Sequence, residues 1–247
     1  MNKINEIFDN IEFKISPDQN YRKEYIFRLK KKFLSLINKD KDFLFSNTLI
    51  KKKSLSDEIL KKELLQIPSM STFAIGYVIN KICQLLRKED IYVNIGVWKG
   101  FSLIAGMINT DCIVHGVDNF SEFNGPEEEF LKNFEKFKNP NSHFFSNCDY
   151  RIFLKNFEKE KKPINFYYYD GEHSYKNQFE NLIIAKEFFI KGTIILVDDI
   201  NFNDVEAGTK DFINKYSNQY EVLKEIKTAN NHCHPSYWNG LMLFKKK

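Results

Sequence analysis

Beyond residue 90 the chain alternates short β-prone runs with stretches of helical period, and this alternation narrows its possible folds most. The strand candidates are Ile91–Ile95, Cys112–Val117, His143–Ser146, Ile164–Tyr169, Thr193–Val197, Glu221–Ile226 and Leu241–Phe244. Helical stretches fill Lys99–Ile108, Glu127–Phe137, Tyr150–Phe157, Gln178–Ile190 and Val205–Tyr216 between them. Such alternation predicts an α/β fold, a mostly parallel sheet with helices on both faces. No comparable helix separates the last two strand candidates, so the last strand is expected to be antiparallel.

The first 89 residues read differently. Glycine is nearly absent, and Ile26, Leu29, Phe33 and Ile37 recur at helix spacing, as do Leu60, Leu64 and Ile67. Pro68 interrupts that pattern, and Ser71 or Thr72 is placed to cap a new helix through Leu86. The expectation is an N-terminal helical segment, 1–89, serving as a structural cap or a lid, followed by a catalytic domain over 90–247. An apolar fraction of 43% with 24 phenylalanines is ample for a core and excludes wholesale disorder. The 37 basic residues are nearly balanced by 33 acidic ones, so nucleic acid is not an expected partner. Cys83, Cys112, Cys148 and Cys233 are scattered without metal or redox spacing, the N-terminus has no apolar leader, and no run reaches membrane-spanning length. These features predict a cytoplasmic protein acting on a small molecule, and they are compatible with a homo-oligomer.

Two features point to a nucleoside pocket. The first strand runs into Asn94-Ile95-Gly96-Val97-Trp98-Lys99-Gly100 before a helix resumes. Glycines at such a turn let a ligand approach the backbone, and the helix start offers free N–H donors. The second strand ends at Asp118, about 20 residues after the turn, where a carboxylate can accept bonds from both ribose hydroxyls. The dinucleotide fingerprint G-x-G-x-x-G is absent, which places a nicotinamide-dependent oxidoreductase last.

The segments Tyr169-Asp170-Gly171-Glu172-His173 and Val197-Asp198-Asp199 each follow an apolar strand. Both should emerge at carboxyl ends of strands, the edge where open α/β sheets bind ligands. Alone, Asp198-Asp199 reads as a helix cap; with Asp170 added, three crowded carboxylates favour a hard divalent cation such as Mg²⁺. A hydroxyl bound to that ion loses its proton more readily. His173 is a candidate general base, an orienting group for Asp170 or an outer ligand of the ion. Asp198 is a second candidate acceptor for the substrate proton. His232-Cys233-His234 lacks a partner pair for a closed zinc site and reads, with Pro235, Tyr237, Trp238 and Asn239, as a pocket wall.

On these residues the chain resembles the class I S-adenosylmethionine-dependent methyltransferases, most closely the metal-dependent sugar O-methyltransferases. The resemblance covers about residues 70–245. It is carried by Ile95 through Gly100, Gly116-Val117-Asp118, Asp170 through Tyr175, Gly192 through Asp199, and Trp238-Asn239-Gly240. It implies a Rossmann-like, seven-stranded sheet with its last strand antiparallel. It further implies O-methylation of a hydroxyl, with a sugar or glycoside among the acceptors and S-adenosylmethionine and Mg²⁺ as cofactors. The turn containing Gly96 and Gly100 would hold the methionine part of the cofactor, Asp118 its ribose and Asp149 its adenine. Asp170, Asp198 and Asp199 match the metal-binding carboxylates. Asn94 departs from the family, which usually has an acid there, so a favourable charge near the cofactor's amine is lost. Two alternatives remain: a metal-independent methyltransferase for another acceptor, and a non-catalytic nucleoside-binding module.

Overall fold

The computed structural model describes residues 2–20, 44–160, 162–230 and 233–247. The repeat of Ile26, Leu29, Phe33 and Ile37 lies outside the described residues, as does His232. The chain opens with α1 (Asn2–Asp9), β1 (Ile11–Phe13), β2 (Thr48–Ile50), α2 (Leu55–Leu65) and α3 (Phe73–Gln84). β1 and β2 pair antiparallel, Glu12 opposite Leu49. Strands of this length, so far apart in sequence, leave no local period to detect.

Ser54 starts α2 with a reciprocal cap. Its hydroxyl accepts from the Asp57 N–H at 3.3 Å, and Asp57 Oδ2 accepts from the Ser54 N–H at 2.8 Å. Asp57 also pairs with Lys81 of α3 at 2.6 Å, so the cap fixes one helix against the next. Ser54→Ala is expected to cost about 1 kcal/mol, read as a melting temperature about 2–4 °C lower. Thr72 starts α3 without capping it; its hydroxyl donates instead to the Ser236 carbonyl at 2.5 Å.

The remaining strands are β3 (Ile91–Ile95), β4 (Ile113–Asp118), β5 (His143–Asn147), β6 (Ile164–Tyr169), β7 (Phe189–Asp198), β8 (Tyr220–Ile226) and β9 (Leu241–Lys246). They form one seven-stranded sheet in the order β5-β4-β3-β6-β7-β9-β8. The pairs from β5 through β7 are parallel, while β9 is antiparallel to both β7 and β8. α4 (Phe101–Met107), α5 (Glu127–Phe137), α6 (Tyr150–Phe157), α7 (Tyr175–Ala185) and α8 (Asn203–Lys215) complete the chain.

The sheet separates two apolar clusters, and alternation along each strand decides which side a residue serves. Tyr92, Phe166, Tyr168 and Leu196 join one cluster with residues of α1–α5. Val93, Ile95, Tyr167, Tyr169 and Val197 join the other with α6–α8. β3 is buried along its whole length, as expected of a central parallel strand covered on both faces.

One expected element changes. The helix foreseen over Gln178–Ile190 ends at Ala185, and Phe189 already opens β7. Thr193 explains the difference: its Oγ1 donates to the Ile164 carbonyl at 2.6 Å and accepts the Ile190 N–H at 3.0 Å. This clip folds the apolar run Phe188-Phe189-Ile190 toward β6, and such a run suits helix or strand equally.

Candidate functional site

The chain leaves β3 toward β4 and β5, then returns on the opposite side of β3 as β6 and β7. That reversal opens a crevice at the carboxyl ends of the strands. A cavity of about 490 Å³ lies there, lined by Gly96, Asp118, Asp149, Asp170, His173, Asp198 and Asp199 among others. Asn94 and Gly100, expected to contact the cofactor, are not among its lining residues.

The glycine turn is held from several sides. The Gly96 N–H donates to the Val117 carbonyl at 2.9 Å, and the Asp170 N–H to Ile95 at 2.9 Å. Gly96 adopts φ +81°, and a Cβ there would lie 1.9 Å from the Asp170 carbonyl oxygen. The close approach that requires glycine at this point is therefore to the neighbouring loop's backbone. Asp118 braces the same turn: Oδ2 accepts the N–H groups of Val97 and Trp98, both at 2.9 Å, and Oδ1 that of Phe120 at 2.8 Å. Beneath the turn, Asn94 is fully buried; its Oδ1 accepts from Ser102 Oγ at 2.8 Å and its Nδ2 donates to the Gly96 carbonyl at 3.1 Å. Gly100, at φ +99°, ends the turn as the residue preceding α4.

Asp149 caps α6, accepting the Arg151 N–H at 2.8 Å. The Arg151 guanidinium pairs with Asp149 at 3.1 Å and with Glu180 at 2.7 Å, and lies over the Tyr150 ring. No local pattern in the sequence signals this bracket, because Glu180 comes from a different helix.

The acidic cluster divides in two. Asp170, His173 and Asp199 each offer a ligand atom, all within 4.8 Å of one another. His173 Nε2 lies 2.9 Å from Asp199 Oδ2 and 3.8 Å from Asp170 Oδ1. That nitrogen is buried, yet it makes no well-aligned hydrogen bond. Burial lowers the proton affinity of His173, but the bonds and charges of Asp170 and Asp199 outweigh it and hold the imidazole at about 10. Burial and the Asp199 charge raise Asp170 above the ordinary carboxylate range.

Asp198 turns toward another partner. The Tyr168 hydroxyl donates to its Oδ2, and the Asp199 N–H donates to Oδ1 at 2.9 Å. Burial, reinforced by the charges of Asp170 and Asp199, pushes Asp198 well above its usual range. Tyr168 was not singled out in the sequence, although same-face parity with Leu196 signals it. Backbone strain concentrates around the cavity. Trp98, Phe120, Phe123, Asp199, Cys233 and Trp238 line it with φ between 43° and 67°, a region that L-residues enter when their surroundings compel them.

Residues 93–200 match the family profile described as "Methyltransferase domain". The fold is similar to that of an O-methyltransferase from Bacillus cereus solved with SAH. The two share 15% identity with a TM-score of 0.57, over 89% of this chain and 97% of that one. It is also similar to the O-methyltransferase TomG from Streptomyces achromogenes, involved in tomaymycin synthesis and solved with SAM. There the identity is 10% and the TM-score 0.56, over 79% of this chain and 91% of that one. No curated protein matches the chain by sequence. Among the described residues no helix is long and apolar enough to cross a membrane.

Proposed function

We propose that this chain, which carries a methyltransferase domain on the class I S-adenosylmethionine-dependent fold, methylates a hydroxyl of a small molecule with the help of a divalent cation. A sugar or glycoside is the proposed acceptor, and Trp98 and Trp238 are among the residues that line the cavity. The observation that carries the reading is the meeting of Asp170, His173 and Asp199, whose ligand atoms all lie within 4.8 Å of one another. Carboxylates crowded in this way are costly to keep ionised away from water unless positive charge offsets them.

The donor set fits a cation. Asp170 and Asp199 would hold it; Asp198, whose Oδ2 accepts from Tyr168, lines the same cavity and adds negative charge beside them. Oxygen ligands and a small, partly open cluster suit Mg²⁺ or Mn²⁺. Bound there, the ion would supply Lewis acidity that lowers the pKa of the acceptor hydroxyl. With an ion's charge offsetting Asp170 and Asp199, the His173 imidazole would be free to lose its own proton and to accept that of the hydroxyl. The Phe202 ring, 5.3 Å from that of His173, limits the imidazole's movement.

Cofactor contacts follow the strand ends. The backbone of the Gly96 turn receives the methionine part, Asp118 the ribose, and Asp149 the adenine, its carboxylate held by Arg151. Asn94 and Gly100 act from beneath by shaping that turn. The sulfonium already activates the methyl group, so the protein has only to supply alignment and deprotonation. Cys83, Cys112 and Cys148 are free thiols, which is in keeping with a reducing compartment such as the cytoplasm.

Thermal unfolding tests the reading directly. S-adenosylhomocysteine at a hundred times its Kd should stabilise the chain by about 2.7 kcal/mol, and Mg²⁺ should add to that. Full activity after exhaustive chelation would remove the cation from the mechanism while leaving the methyl transfer in place.

A further inference from the structure

Cys233, Trp238 and Asn239, on the segment between β8 and β9, line one side of the cavity, and Asn239 reaches the acidic cluster. Strand register explains how. Leu241 pairs with Asp198, and the pairing continues past the strand ends, where the N–H groups of Ile200 and Asn201 donate to the carbonyls of Gly240 and Asn239 at 3.4 and 2.8 Å. Asn239 thus stands beside Asp199, and its Nδ2 donates to Asp199 Oδ1 at 2.8 Å. The other oxygen of that carboxylate faces His173 Nε2 at 2.9 Å. Both residues are buried, and Asp199 holds φ +58°, so its carboxylate is positioned from a strained backbone.

That segment is anchored elsewhere too. His234 Nδ1 meets Ser236 Oγ at 2.7 Å, and its Nε2 meets the Gln19 carbonyl at 2.9 Å. The Ala229 N–H donates to the Pro17 carbonyl at 2.7 Å. His234 is therefore a structural tie, with both of its ring nitrogens engaged. The Asn239 amide sits on a loop fixed to the N-terminal segment.

We propose that Asn239 is a positioning residue of the cation site. Its amide locks the Asp199 carboxylate so that Oδ2 points at the cluster shared with Asp170 and His173. This role rests on the cation reading of the site. A neutral amide suits it, because it removes rotational freedom from the carboxylate without cancelling the charge that attracts an ion. Partners of this kind, one bond removed from a metal ligand, typically account for about 10–100-fold in metal affinity.

The test is a Mn²⁺ titration of the full chain, following free Mn²⁺ by electron paramagnetic resonance. Wild type is compared with Asn239→Ala and with Asn239→Leu, which keeps the side-chain volume and lacks the donor. Both variants should bind Mn²⁺ about 10–100-fold more weakly, with affinity for S-adenosylhomocysteine by calorimetry unchanged within about twofold. Should Asn239→Ala fail to fold, Asn239→Leu gives the answer. Wild type that binds no Mn²⁺ would overturn the cation reading and this role with it. Equal Mn²⁺ affinity in wild type and variants would overturn the role alone. Parallel loss of S-adenosylhomocysteine binding would make Asn239 a general support of the fold instead.

Discussion

Replacing Asp170 with alanine is expected to lower turnover by about 10³-fold while leaving the melting temperature of the free protein nearly unchanged. The two effects share one cause. Asp170 stands beside Asp199 and His173, and burial with the Asp199 charge raises its pKa in the folded chain. A carboxyl whose folded pKa lies above its unfolded one contributes most below the unfolded pKa; that contribution is lost as pH rises through the folded value. At neutral pH the ionised group therefore opposes folding; alanine relieves that cost and also removes one of the two carboxylates that favour the charged His173, so the two contributions offset. The chemistry suffers because one of the proposed oxygen ligands is gone. Loss of activity without loss of stability is the signature of a site arranged for function. Initial rates with labelled S-adenosylmethionine, paired with thermal melts, check both halves. Retained turnover, or S-adenosylhomocysteine affinity falling in step with rate, would remove Asp170 from the proposed role.

Gly96→Ala should be the most damaging single change in the cofactor half of the cavity. The new Cβ would sit 1.9 Å from the Asp170 carbonyl oxygen, at a backbone φ of +81°. The left-handed conformation alone costs about 1–2 kcal/mol in an L-residue. Relieving the clash means separating the turn from the Asp170 loop, for a total of about 3 kcal/mol or more. A fall in melting temperature of about 6–12 °C follows, together with loss of S-adenosylhomocysteine binding. Gly192 provides the control, since it has φ +92° and a Cβ added there would meet nothing within 4 Å. Gly192→Ala should show the conformational cost alone, about 1–2 kcal/mol, with cofactor binding intact. Similar losses from both substitutions would show that contact with the Asp170 loop matters little.

The two substitutions bear on different parts of the site, and the sequence revealed them unequally. Gly96, Asp118, Asp170 and the Asp198-Asp199 pair were visible because each follows a run of β-prone residues, so each had to emerge near a strand's carboxyl end. The boundaries of α5 and α6 were legible for a similar reason: their apolar residues repeat every three or four positions. The partners of those acids were harder to see. Arg151 reaches Glu180, Tyr168 reaches Asp198, and Asn239 reaches Asp199, each across a gap in sequence that carries no period. The pairing of β1 with β2 was hidden in the same way.

Beyond residue 90 the sequence by itself determined most of the strands and helices, the run Phe188-Phe189-Ile190 excepted, and which acids stand at the ends of those strands, since both depend on local period. Only the tertiary structure decided how the acids divide. Asp198 ends β7 on the face of Tyr168, while Asp199, turned to φ +58°, joins Asp170 and His173. The same holds for β9, whose insertion between β7 and β8 carries Asn239 to the cluster. Strand order and side-chain direction at a strand's end arise from packing between distant segments, and no local pattern of residues encodes them.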